Sequence, residues 1–290
     1  MTPEERLGEI VTALESVGVS CLVMGGHAVR FYGLARNTND FDLHASADQW
    51  DDLTERLGRT PLFGGQPVVE GPSWRPNAFK RFRIGMLPDG KDEWLEFWRD
   101  NHLLAPHAEL LARAERGRYG DREITFLGLP DLIRSKETER DADWQDVSSL
   151  EDFLDSSLLA KTDRGEVTLA TALAQLRSRA GFGGYFQRGA LADSKAVSEA
   201  LASTTNPITQ AYLIPFAPHV EPPTASLFPI EPVVLSRLRQ LEGGSTLHLS
   251  LVEVVRRRYV VFRKDIDRRD KEAIRAAMEL DRAPGGDHPS

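Results

Sequence analysis

Residues 24–42 read Met24-Gly25-Gly26-His27-Ala28-Val29-Arg30-Phe31-Tyr32-Gly33-Leu34-Ala35-Arg36-Asn37-Thr38-Asn39-Asp40-Phe41-Asp42, and their order decides the fold. An apolar run over Val19 to Met24 ends in Gly25-Gly26. A helix-compatible stretch over 27–32 follows, then a basic loop, then two aspartates one residue apart, Asp40 and Asp42, with Phe41 to His44 read as the second strand. Side chains two residues apart on a strand share a face. Two carboxylates held that close repel unless a cation lies between them. Hard oxygen ligands of this kind suit Mg2+, which takes one or two carboxylates together with substrate phosphates. A Gly-Gly turn lets backbone come close to a phosphate, and the helix after it aims its N-terminus there.

The stretch resembles the signature of the nucleotidyltransferase superfamily, the fold shared with DNA polymerase beta. More narrowly it resembles the stand-alone bacterial AbiEii-type group, in which Gly-Gly-x-Ala, a Gly, Arg-x-Thr and Asp-x-Asp recur together. Here these are Gly25-Gly26-His27-Ala28, Gly33, Arg36-Asn37-Thr38 and Asp40-Phe41-Asp42. The resemblance implies an α+β fold with an α/β-like core, a small mixed sheet flanked by helices. It also implies Gly25, Gly26, Arg36 and Thr38 at the nucleotide and Asp40 and Asp42 as ligands of one or two Mg2+.

Downstream, Phe82, Ile84 and Met86 alternate with Arg81, Arg83 and Gly85, the pattern of a half-buried strand. Pro88-Asp89-Gly90-Lys91 has turn chemistry, and Trp94 to Trp98 reads as an aromatic strand, so the two form an antiparallel hairpin. Glu96 is an acid in the middle of that apolar strand. It reads either as a surface acid on an edge strand or as a third carboxylate beside Asp40 and Asp42. The resemblance implies the latter, with a catalytic and metal-binding role, although the family more often has Asp there.

A second block extends the likeness: the strand Ile124 to Leu127, Leu132-Ile133, Lys136, then Arg140, Asp143 and Asp146 followed by Val147. A Gly that often precedes the Arg in the family is Glu139 here. Lys136 offers a point charge for nucleotide phosphates. Arg140 and Asp143 join the nucleotide-binding set by resemblance, while their helical spacing also fits a plain ion-paired surface. The likeness covers roughly residues 18–154.

Elsewhere the reading is structural. Thr2-Pro3-Glu4-Glu5 starts a helix as a capping box, with Leu7, Ile10, Val11, Leu14 and Val17 on one face. Ser46 is expected to cap a helix carrying Trp50, Leu53 and Leu57. Residues 58–78 read as loop, 102–119 as one helix, and Thr168 to Arg179 as another. Gly181 to Phe186 reads as a flexible aromatic loop, and 206–232, with seven prolines, as a linker or strap. Leu247 to Val261 is expected to hold a strand. The basic run from Arg256 to Lys271 either grips RNA phosphate or, given Asp265, Asp267 and Asp270, forms an ion-paired helix.

These pieces predict a catalytic domain over 1–155, a mainly helical region over 156–282 and a disordered tail over 283–290. At 290 residues, 41% apolar and 28% charged, the composition is that of a globular protein. No apolar run is long enough for a membrane span, and the first residues are no signal peptide. The single cysteine, Cys21, cannot form an internal disulfide and is expected to be a small buried residue, so a cytoplasmic setting is expected. A net charge of −8 disfavours broad nonspecific nucleic-acid binding. The leading expectation is Mg2+-dependent transfer of a nucleoside monophosphate from an NTP, ATP included, to an acceptor. By resemblance the acceptor is a tRNA end or a protein, with the chain acting as a toxin restrained by an antitoxin. The alternatives are an aminoglycoside-type small-molecule acceptor and a noncatalytic nucleotide-binding module.

Overall fold

The computed structural model describes residues 2–87, 89–224 and 227–282. The expected tail at 283–290 and Pro88 of the expected hairpin turn lie outside the described residues. The chain divides into two compact units, one of residues 1–136 with those from 269 onward, the other of 137–268. The boundary expected near 155 falls instead inside the continuous helix Asp141–Asp163.

The first unit is built on a seven-stranded mixed sheet. Its strands are β1 Cys21–Val23, β2 Asp40–Ala45, β3 Val69–Glu70, β4 Phe79–Met86, β5 Asp92–Trp98, β6 Glu115–Tyr119 and β7 Arg122–Phe126, in the order β3-β4-β5-β2-β1-β7-β6. β2 pairs antiparallel with β1 and parallel with β5, and β1 pairs parallel with β7. The helices of this unit begin with α1 Pro3–Ser16, where Thr2 Oγ1 accepts from the Glu5 amide at 3.1 Å and the Glu5 carboxylate accepts from the Thr2 amide at 2.7 Å. α2 Gly25–Phe31, α3 Leu53–Gly58, α4 His107–Ala112 and α5 Leu129–Ser135 follow. On β2, Phe41 and Leu43 point into the core, whereas Asp40 and Asp42 stand half-buried on the other face.

Two expectations in this unit are corrected. Residues 102–119 are not one helix: only α4 is helical, and Glu115–Tyr119 turns through Gly120, at φ +64°, to pair with β7. Gly117 fits there because a Cβ would lie 2.8 Å from the Phe31 ring. The Ser46 helix is a short 3-10 turn, Ala47–Gln49, separated from α3. Ser46 makes no side-chain cap; Gln49 instead ties this turn to Ser20, accepting from its amide at 2.8 Å and donating to its carbonyl.

The second unit is helical: α6 Asp141–Asp163, α7 Leu169–Leu173, α8 Arg179–Gln187, α9 Ser194–Ser203, α10 Pro207–Leu213, α11 Pro232–Arg239 and α12 Thr246–Arg282 to residue 268. The helix expected over Thr168 to Arg179 stops at Leu173, because Ser178 caps a new helix and the buried Asp155 carboxylate accepts from the Arg177 and Ser178 amides. Gly181 to Phe186 is helix, not loop. Its glycines mark close packing: a Cβ on Gly181 would sit 2.3 Å from Asp155 Oδ2, and one on Gly184 2.8 Å from Leu159. The start of the proline-rich segment is α10, with Asn206 as cap and Pro207 at the first position.

No strand occurs at Leu247 to Val261. His248, Val252, Val255, Arg263 and Asp267 are buried at helical spacing on α12. The basic run is the ion-paired helix: Arg256 binds Glu151, Arg257 binds Glu253, Arg258 binds Glu231, and Lys264 binds Asp141. Arg263, 1% exposed, sits 3.0 Å from the equally buried Glu137. Among the described residues no helix is long and apolar enough to cross a membrane.

Candidate active site

Gly25 carries the geometry of the site. It starts α2 at φ +62°, and a Cβ there would lie 1.9 Å from Asp42 Oδ2. The Asp42 carboxylate is therefore packed on the glycine's bare α-carbon, and the Met24 amide donates to the Asp42 carbonyl at 2.9 Å. Gly26 does the same for Thr38: a Cβ would sit 2.5 Å from Thr38 Cβ. Thr38 Oγ1 donates to the Asp40 carbonyl at 3.2 Å, tying the loop to the start of β2. The two glycines thus bring strand β2 and its approach loop against the first turn of α2, whose leading N–H groups have no acceptor within the helix.

The third acid arrives through the parallel pairing. Asp42 is in register with Glu96, and Asp40 with Trp94. β4 continues the row, with Arg81 opposite Glu96 and an ion pair between them at 3.4 Å. A cross-strand row of Asp42, Glu96 and Arg81 results. Burial first, then the Asp42 charge, raises the Glu96 carboxyl to about 7; Arg81 pulls the other way, and Asp40 adds to the rise. Glu96 also hydrogen-bonds Asp42 through its side chain.

Arg81 is held on two sides. Its guanidinium carbon lies 4.0 Å from the centroid of the Trp94 ring, and its carbonyl accepts from the Gly71 amide at 2.9 Å. Gly71 has no room for a side chain: a Cβ would be 2.6 Å from the Trp94 ring and 2.9 Å from Arg81 Cγ. A bulge in the hairpin sets this register. Met86 pairs with Asp92 and Gly85 with Glu93, but the register shifts between Gly85 and Arg83, so Arg81 rather than Phe82 faces Glu96.

Beneath the motif, His27 stacks on Phe41 at 4.9 Å, and its Nδ1 meets Tyr119 Oη at 3.1 Å. Burial, then the Arg30 charge, holds His27 down at about 4, so the ring is neutral packing for the strand that carries the acids. Two residues beyond Asp42, His44 is sealed against His107, with Nδ1 atoms 3.0 Å apart.

The sequence-derived residues are not all equally placed. Asp40, Asp42, Glu96, Gly25, Gly26 and Thr38 come together. Arg36 is half-buried on the loop before Thr38, its carbonyl accepting from Arg30 at 3.0 Å. Lys136 is buried at the end of α5. Arg140 and Asp143 belong to the second unit, where Arg140 grips the fully buried Asp143 carboxylate at 2.8 and 2.9 Å and Thr138 donates to the same group. Arg81 and Trp94 escape sequence reasoning as site residues. Their signal in the sequence is the hairpin itself, but the bulge hides which arginine faces Glu96.

The donor set fits Mg2+. It is all oxygen, two of its carboxylates share a strand, and the third, raised to about 7 by burial and then by the Asp42 charge, would ionise more readily beside a cation. Among the described residues no group of three or more His, Cys, Asp or Glu is placed to share one metal ion.

No protein-family model matches this sequence, and none of the curated proteins does. Two solved structures are similar over 51% of the chain. One is an antigenic nucleotidyltransferase-like protein from Paracoccidioides brasiliensis, 14% identical, TM-score 0.36, with 75% of that chain covered. The other is the lincosamide antibiotic adenylyltransferase LnuA bound to lincomycin, 14% identical, TM-score 0.37, with 96% of that chain covered. At these scores neither likeness bears on function.

Proposed function

We propose that the first unit transfers a nucleoside monophosphate from an NTP to a hydroxyl-bearing acceptor, with Mg2+. The observation that carries this reading is the packing of Asp42 on the bare α-carbon of Gly25 with Glu96 in register beside it. That arrangement places paired carboxylates against the start of a helix.

Asp40 and Asp42 would hold the metal, and Glu96 would serve either as a further ligand or as the proton acceptor. The ion supplies charge neutralisation on the phosphates and lowers the pKa of the attacking hydroxyl. The N–H groups at Gly25 and Gly26 take phosphate oxygens, since their own helix leaves them without acceptors. In the transfer the acceptor oxygen bonds to the α-phosphorus as the bond to the β-phosphate oxygen breaks, and pyrophosphate leaves. The hydroxyl proton passes to Glu96, whose carboxyl at about 7 suits a base at neutral pH. Arg36 and Lys136 are the cations proposed to offset charge on the leaving pyrophosphate. Arg140, the other cation of the nucleotide-binding set, is committed to Asp143 within the second unit.

A tRNA end, a protein or an aminoglycoside-type molecule is the proposed acceptor, and a toxin restrained by an antitoxin is the proposed setting. The test is incubation with Mg2+ and each α-labelled NTP in the presence of total tRNA, of the protein alone and of an aminoglycoside panel. Label should move to one acceptor class, and Asp42→Asn should stop it. Mg2+-dependent nucleotide binding with no labelled product under any condition would overturn transfer in favour of a binding module.

A further inference from the structure

We propose that Arg81 is a built-in cation of the carboxylate site, so that Asp40 and Asp42 take a single divalent ion and Glu96 stands outside its ligand set. This rests on the reading of the site as a metal-dependent transferase centre.

Three acids on adjoining strands bring three negative charges to one patch, and such a patch needs positive charge from somewhere. Metal ions are one source. The row Asp42, Glu96, Arg81 contains another, because Glu96 lies between a carboxylate on β2 and a guanidinium on β4. The Arg81 to Glu96 contact is 3.4 Å, with the two side chains 26% and 16% exposed. The next ion pair along the same hairpin, Arg83 with Asp92, is 49% and 41% exposed and carries no such enclosure.

Arg81 is also costly to move. Its guanidinium is stacked on Trp94, its backbone is pinned by Gly71, and Gly71 is bare because Trp94 and the Arg81 stem fill the space a Cβ needs. A side chain swung aside to admit a second metal ion would give up the stacking and the ion pair together. The bulge between Arg83 and Gly85 points the same way: without it Phe82, not Arg81, would face Glu96, and the acid would have no built-in partner. The spread of the acids agrees, since among the described residues no three metal-binding side chains converge on one point. Held by the Arg81 guanidinium from β4, the Glu96 carboxylate is fixed in place beside Asp42, which makes Arg81 a positioning residue for Glu96.

The test is Mn2+ titration of the intact protein, with bound ion counted by the loss of the free-ion paramagnetic signal and folding checked by circular dichroism. Wild type should bind one ion per chain. Asp42→Asn should weaken binding by at least about tenfold, Glu96→Gln by no more than about threefold, and Arg81→Lys should keep the count at one. Arg81→Gln should admit a second ion, or tighten the first by about tenfold, because Glu96 then becomes a free ligand. Two ions on wild type, or a Glu96→Gln loss as large as that of Asp42→Asn, overturns the proposal while leaving the transferase reading intact. Failure of Mn2+ to bind, or binding indifferent to Asp42→Asn, overturns the transferase reading and the proposal with it. If Arg81→Gln does not fold, the Glu96→Gln comparison decides alone.

Discussion

Replacing Gly25 by alanine separates the two things that glycine does. At φ +62° any L-residue is strained, a cost of about 1–2 kcal/mol. The added methyl also meets Asp42 Oδ2 at 1.9 Å, where ordinary contact begins at 3.4 Å, so the carboxylate must retreat by the difference, 1.5 Å. Misplacement of a reacting group by about 1 Å can reduce turnover by about 100-fold. Gly33 supplies the control. It has φ +85° and nothing within 4 Å of the place a methyl would take, so Gly33→Ala suffers the backbone strain without the collision. Both variants should lose a similar amount of stability in urea denaturation, with Gly25→Ala lower by the extra contact. Only Gly25→Ala should lose about 100-fold or more in labelled-nucleotide transfer and, in parallel, Mn2+ affinity. Equal activity in the two variants would refute the claim that Asp42 is seated on that glycine.

Charge and packing elsewhere in the chain give four further expected outcomes. Asp42→Asn should leave the metal-free protein at least as stable as wild type by thermal melting, because it removes the charge that opposes Glu96; a marked fall would show Asp42 to be structural. His27 is neutral in the folded chain down to about 4 but titrates near 6.5 when unfolded, so its contribution is intact above 6.5 and is lost as pH falls toward 4. The wild type should therefore lose about 3 kcal/mol relative to His27→Gln across that window in denaturant titrations, and a constant difference would refute it. Glu137→Gln strips the buried Arg263 of its counter-charge and should destabilise by about 3–5 kcal/mol in chemical denaturation. Gly181→Ala should be destabilising despite its helical position, since Asp155 occupies the methyl's place, and a gain in stability would contradict that packing.

The carboxylates are legible in the sequence because strand alternation is a local rule: Asp40 and Asp42 must share a face, and Glu96 must lie opposite the apolar Leu95 and Phe97. Their meeting depends on β2 pairing parallel with β5, which no local pattern specifies. Register is harder still, since one extra residue in the hairpin moves Arg81 into the position that symmetry would give Phe82. Glycine misleads in the second unit. Gly181, Gly183 and Gly184 suggest flexibility, whereas Gly181 and Gly184 are small because α6 passes close by. Valine-rich stretches in α12 suggest strand, and only the spacing of Val252, Val255 and Arg263 betrays the helix.

The strand order also sets a timetable for the site. β1 and β2 leave the ribosome together with Asp40 and Asp42, yet β2 gains its other neighbour only after residue 98 exists, and β1 gains β7 only after residue 126. Until then the two acids sit on an unfinished sheet, without Glu96 or Arg81 beside them. Contacts between residues so far apart in sequence form slowly, so metal competence should appear late in folding and as a single step. A chain truncated before β5 would carry the complete glycine and aspartate motif and none of its chemistry.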